Sequence, residues 1–104
     1  MEKNIEKYKI RAEIVKAMAH PTRLFIMDKL SEKSHCVNEL HDMIKGDLST
    51  VSKHLSVLRK AGIIVDKKEG TQVFYSLKVP CIMDFMKCIE IVIKENAVSN
   101  LCHI

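Results

Sequence analysis

A chain of 104 residues, 47% hydrophobic and 29% charged with three glycines and two prolines, has the composition of one globular domain, here residues 1–104, and no room for a catalytic domain beside a binding one. Aromatics make up 5% with no Trp, so Leu, Ile, Val and Met must build the interior, which suits helix packing better than a β-sandwich. The net charge of +4 favours a polyanion if the positive residues cluster, and the charge-alternating start Met1-Glu2-Lys3-Asn4-Ile5-Glu6-Lys7 reads as neither secretory signal nor membrane span, so a cytoplasmic protein without a membrane partner is expected.

From about residue 4 to 19, Ile5, Tyr8, Ala12, Val15 and Met18 recur at three- and four-residue steps, predicting an amphipathic helix. Pro21 ends it and opens a second helix, where a first-position proline loses no hydrogen bond; Leu24, Met27 and Leu30 mark its buried side. Polar residues 31–35 connect to a short third helix from about Cys36 to Lys45, with Val37, Leu40, Met43 and Ile44 facing inward and Gly46 placed to take the left-handed conformation at its end. Asp47 can then accept the free N–H groups of a fourth helix spanning about residues 48–60. The joint is helix, short turn, helix.

On that fourth helix Leu48, Val51, Leu55 and Leu58 share one stripe at 100° per residue, while Ser49, Ser52, Lys53, Ser56 and Lys60 share the other face. Serines lower helix propensity and leave a shallow surface, which predicts docking into a groove rather than solvation. Gly62 ends the helix, and the β-branched and aromatic runs 63–68 and 72–77 around Glu69-Gly70-Thr71 predict a hairpin. Pro80 opens a last helix with a stripe of Ile82, Phe85, Met86, Ile89 and Ile93. So small a domain has little to cover that stripe, so these five residues are expected to pair with a second copy and with the first helix. The expected fold is mainly α with a small β-hairpin wing.

Residues 48–68 carry Lys53, Arg59, Lys60, Lys67 and Lys68 against the single acid Asp66, a local nucleic-acid footprint. Hydroxyls can read base edges in the major groove while amines neutralise phosphates. The expected DNA-binding residues are Ser49, Thr50, Ser52, Lys53, His54, Ser56, Arg59 and Lys60 on the helix, with Lys67, Lys68 and Gln72 on the hairpin. A protein-interaction module is the alternative, and it predicts no salt-dependent DNA affinity. No Gly-rich phosphate loop, Gly-x-Ser-x-Gly elbow or His-Glu-x-x-His helix is present, so no enzyme is expected.

Ala19-His20-Pro21-Thr22-Arg23-Leu24, Cys36-Val37-Asn38-Glu39-Leu40, the run Leu48 to Gly62, Glu69-Gly70 and Val73-Phe74-Tyr75-Ser76-Leu77 occur in that order. Over roughly residues 17–78 the chain resembles the ArsR/SmtB winged helix-turn-helix repressors. The resemblance implies a homodimer built on the first and last helices, a double-stranded DNA operator bound by two recognition helices, and an inducer, usually a metal or metalloid ion, that releases the DNA. Asn38 stands where the arsenic branch has the second cysteine of Cys-Val-Cys, the last helix has no His before His103, and Thr71 stands where the family commonly has Arg.

The four cysteines, Cys36, Cys81, Cys88 and Cys102, include no Cys-x-x-Cys pair, so stable disulfides are not expected. Cys81 and Cys88 share a helix face, but seven residues at 1.5 Å rise separate their Cα atoms by about 10.5 Å. Thiolates on one ion lie within about 4 Å of each other, so a site needs a further element: a mate's helix, Cys102-His103 or Cys36. Thiols without carboxylate or imidazole company favour arsenite first, then antimonite, cadmium or lead; oxidation or a persulfide bridge is the alternative. Any one of them alone fits a small buried apolar residue.

Overall fold

The computed structural model describes residues 4–102, the side chains of 101 and 102 excepted. Five helices, α1 (Ile5–Met18), α2 (Pro21–Glu32), α3 (Val37–Ile44), α4 (Leu48–Lys60) and α5 (Ile82–Cys102), accompany three strands, β1 (His35–Cys36), β2 (Ile64–Glu69) and β3 (Gln72–Leu77). The sheet is antiparallel in the order β1-β3-β2, with His35 opposite Tyr75 and Ile64 opposite Leu77. This is the winged helix-turn-helix arrangement: α3 and α4 are the helix pair, β2 and β3 the wing.

The periodicities reappear as packing, except that Met43 and Leu48, read as inward-facing, are exposed. Ile26, Met27 and Leu30 of α2, Leu40 of α3, Val51, Leu55 and Leu58 of α4, and Ile63 and Ile64 form one buried cluster. Apolar burial of that kind is the main stabilising term. α4 stops where the Gly62 and Ile63 N–H groups bond back to the Arg59 and Leu58 carbonyls at 3.0 Å each. That pairing requires the left-handed φ of 82° at Gly62, which glycine adopts without steric cost.

Four local expectations need correction. Residues 31–35 do not form a simple polar loop, because His35 and Cys36 make β1 and are both buried. Cys36 is thus the cap of α3 rather than its first residue, and Glu39 Oε1 accepts its N–H at 3.2 Å. The left-handed residue after α3 is Lys45, φ 58°, and not Gly46. A Cβ on Gly46 would meet only Ile44 Cγ2 at 3.7 Å, so nothing there requires glycine, and the His41 ring nitrogen 2.7 Å from the Gly46 carbonyl holds the turn instead. The Asp47 side chain caps no helix N–H; its Oδ2 accepts the Ser49 hydroxyl at 2.7 Å while its carbonyl takes the Thr50 and Val51 N–H groups. The last helix begins at Ile82, with Pro80 and Cys81 in the preceding turn.

α1 and α5 stand partly outside this core. Only Ala17 and Met18 of α1 are buried, leaving Tyr8 50% and Ile10 63% exposed. α5 presses Ile82, Met83 and Met86 onto the core and leaves Phe85, Ile91, Val92, Ile93 and Val98 exposed. The radius of gyration is 16.5 Å, against about 13 Å for a compact chain of this size. No helix among the described residues is long and apolar enough to cross a membrane.

Candidate nucleic-acid interface

The stripe Val51, Leu55 and Leu58 is buried to within 1%, which sets the rotation of α4 about its axis. Ser49, Thr50, Ser52, Lys53, Arg59 and Lys60 are exposed, and Ser56 is half-buried. No described Lys53, Arg59 or Lys60 side chain lies in an ion pair with a carboxylate. The face therefore offers hydroxyls framed by free cations, suited to base edges and phosphates.

The wing stands beside it with Lys67, Lys68 and Gln72 exposed. Lys67 pairs across the ribbon with Phe74 and Lys68 with Val73. Adjacent strand residues point to opposite faces, so the two amines serve different sides of the ribbon, and Lys67 approaches Glu69 at 3.9 Å.

His54 was expected among the DNA-facing residues, but it is turned elsewhere. It is half-buried, with its ring centroid 4.3 Å from that of His20 at the start of α2. Helical spacing places it about 200° from both Ser52 and Ser56, on the far flank of α4. Burial first, then the nearby His20 and Arg23, push its imidazole below the ordinary histidine range.

Residues that sequence reasoning passed over support the helix pair from behind. The Glu39 carboxylate takes the Cys36 N–H and lies 3.1 Å from His35 Nδ1. Those two contacts, the backbone one larger, hold Glu39 below the usual carboxylate range. The signal was legible as a glutamate three residues after a helix start, but burial of His35 depends on the β1–β3 pairing.

Among the described residues, Cys36, Cys81 and Cys88 are not gathered with other ligand side chains into a metal-binding group. Cys36 is buried under the start of α3, whereas Cys81 and Cys88 are exposed. Cys81 lines an apolar recess with Ile14, Ala61, Ile63, Val79 and Ile82. Among the described residues no group of three His, Cys, Asp or Glu side chains could hold an ion. The Cys102 side chain and all of His103 lie outside the described residues. Of the expected dimer residues, Ile82 and Met86 face the protomer's own core, Ile89 is half-buried, and Phe85 and Ile93 are exposed.

Comparison with known proteins agrees with this geometry. Residues 20–65 match the profile described as "bacterial regulatory protein, arsR family". An uncharacterised HTH-type transcriptional regulator of Methanocaldococcus jannaschii is 41% identical over 87 residues, 83% of this chain and 98% of the relative. The crystal structure of Rv0081 from Mycobacterium tuberculosis superposes with a TM-score of 0.81 at 30% identity, covering 90% of this chain and 95% of that one. A Mycobacterium bovis domain, described as homodimeric, winged helix-turn-helix and DNA-binding, shares the fold with a TM-score of 0.79 at 23% identity, over 93% and 90% of the two chains.

Proposed function

Since the chain belongs to the ArsR/SmtB family of winged helix-turn-helix transcriptional regulators, we propose that it is a homodimeric repressor in the cytoplasm that binds a double-stranded DNA operator and releases it when a thiophilic species reaches its cysteines. The observation that carries the DNA reading is the hydroxyl-and-amine face of α4, held outward by a fully buried stripe beside a basic wing. The uncovered apolar faces of α1 and α5 support a dimer through those helices, as does the homodimeric description of the M. bovis domain. The protein acts by binding, not by catalysis.

DNA affinity should fall steeply with added salt, since neutralised phosphates release counterions. Lys53→Ala with Lys60→Ala should weaken operator and random DNA together, roughly tenfold or more. Ser52→Ala or Ser56→Ala should cut operator preference instead, because phosphate contacts position and base contacts specify. Anisotropy titrations over a salt series read both effects. Unchanged affinity in the double lysine variant would refute this role for α4.

For the inducer, a three-coordinate sulfur site for arsenite built from Cys81, Cys88 and either Cys102 or Cys36 is our first reading, with antimonite, cadmium or lead binding the same thiols. Among the described residues no such group forms within one chain, so the site would be completed by Cys102 or by a residue of the second copy. Release by tenfold needs only about 1.4 kcal/mol between the two states. The exposure of Cys81 and Cys88 also favours a second reading, oxidation or persulfide bridging of accessible thiols. Titrating the DNA complex with arsenite, cadmium, zinc and a persulfide donor separates the two. Cys81→Ser and Cys88→Ser should leave DNA binding intact and abolish release by the active agent; wild-type release in both single variants would place the sensor elsewhere.

A further inference from the structure

One contact ties the recognition helix to the element behind it through two imidazoles rather than through apolar packing. His20 is the N-cap of α2, extended at φ −155° and ψ 133°, and its Nδ1 accepts the Thr22 N–H at 3.1 Å. Pro21 follows at the first helical position, where its ring restricts φ. The Thr22 hydrogen bond thereby orients the His20 ring, and an Nδ1 that accepts a hydrogen bond belongs to the neutral tautomer with its proton on Nε2. Against this ring lies His54 of α4, centroids 4.3 Å apart and planes tilted by 43°. Arg23 also acts electrostatically on His54, and its buried Nε has no hydrogen-bond partner among the described residues.

We propose that His20 is a positioning residue for sequence-specific DNA binding: by packing against His54 it fine-tunes the rotation of α4 within the range the buried stripe allows, and hence the register of Ser49, Ser52 and Ser56, as long as the His54 ring is uncharged. The proposal rests on α4 being the recognition helix. Apolar packing along Val51, Leu55 and Leu58 is non-directional, whereas a ring contact in which one imidazole is anchored by a hydrogen bond is directional. His54 lies on the flank remote from Ser52 and Ser56, so a turn of α4 that moves it away from His20 shifts both serines by the same angle.

The pair should also make operator preference acid-sensitive. The groups acting on His54 by charge are His20 and Arg23, both on α2, and no carboxylate acts on it among the described residues. A proton on His54 therefore meets like charge and loses hydration. The packed arrangement of His54 resists protonation more than a freed imidazole does, so lowering the pH through the ordinary histidine range, about 6.5, favours separation of the rings. Above that range both arrangements are neutral and the preference is constant.

The test compares operator with random DNA between pH 7.5 and 5.5, using an operator selected in vitro with the wild-type protein. Random DNA is held by phosphate contacts and does not depend on base register. Operator preference should fall about tenfold over this range, the scale of one lost base contact, while random affinity holds or rises. His20→Asn keeps a side-chain acceptor for the Thr22 N–H but removes the ring. It should lower preference at pH 7.5 by about the same factor, abolish most of the acid response and leave the melting temperature nearly unchanged. His54→Phe restores a stacking ring that cannot titrate; it should keep the preference at pH 7.5 and lose most of the acid response. Wild-type preference and pH profile in His20→Asn would overturn the proposal, as would a parallel fall in random-DNA affinity. Failure of the reading of α4 itself shows separately, as indifference of DNA binding to the double lysine variant.

Discussion

Phe85→Glu is expected to yield a folded monomer that has lost most of its operator affinity. Phe85 is 47% exposed in the single chain and is not among the side chains packed on the protomer's core, a role taken by Ile82, Met83 and Met86 of the same helix. The substitution therefore removes little from the protomer. In a dimer built on α5 the new carboxylate would be buried without a partner, and an uncompensated buried charge costs several kcal/mol. Two linked recognition helices bind jointly with an avidity gain of about 10²–10⁴, and a two-fold protein matches two half-sites one turn apart. Loss of that gain should appear as a fall of at least about a hundredfold in operator affinity. Sedimentation velocity reads the oligomeric state and anisotropy the affinity; a folded dimeric Phe85→Glu protein would refute pairing through this helix.

The second large effect is on stability. Leu58 is 0% exposed in the middle of the cluster that joins α4 to α2 and the sheet, whereas its neighbour Val57 is 36% exposed. Leu58→Ala removes buried apolar atoms and leaves a cavity, which typically costs about 2–5 kcal/mol. In a domain of this length each kcal/mol lowers the melting temperature by about 4–8 °C, so a drop of roughly 10 °C or more is expected. Val57→Ala, at a side chain about a third exposed and outside the buried cluster, should cost clearly less and stay within about a few degrees of wild type. Thermal unfolding followed by circular dichroism at one fixed protein concentration makes the comparison valid for a dimer. Equal stability of the two variants would mean that the α4 stripe does not carry the core.

The same stripe shows why so much of the fold was legible in the chain. Val51, Leu55 and Leu58 at helical spacing, the glycine after α4 and the alternating wing are local patterns, and burial followed the pattern because one amphipathic face has one place to go. The helix-turn-helix, the hairpin and the outward hydroxyl face of α4 are therefore properties of the sequence. Turn details were decided elsewhere: Lys45 took the left-handed conformation in place of Gly46 because the turn is held by the His41 ring and the Gly46 carbonyl.

What only tertiary structure decided involves residues distant in the chain. The two-residue strand at His35 and Cys36 exists because β3, nearly forty positions later, presents Phe74 and Tyr75 to it; a two-residue strand has no period to detect. The same pairing buries the Cys36 thiol, while Cys81 and Cys88 remain exposed, a division that cysteine spacing does not encode. His54 carries the residue type and helix of a DNA contact, yet it lies against His20, thirty-four positions earlier. Spacing along one helix gives the angle of a side chain, but the neighbour waiting at that angle is set by how the helices pack, and that is a property of the whole chain.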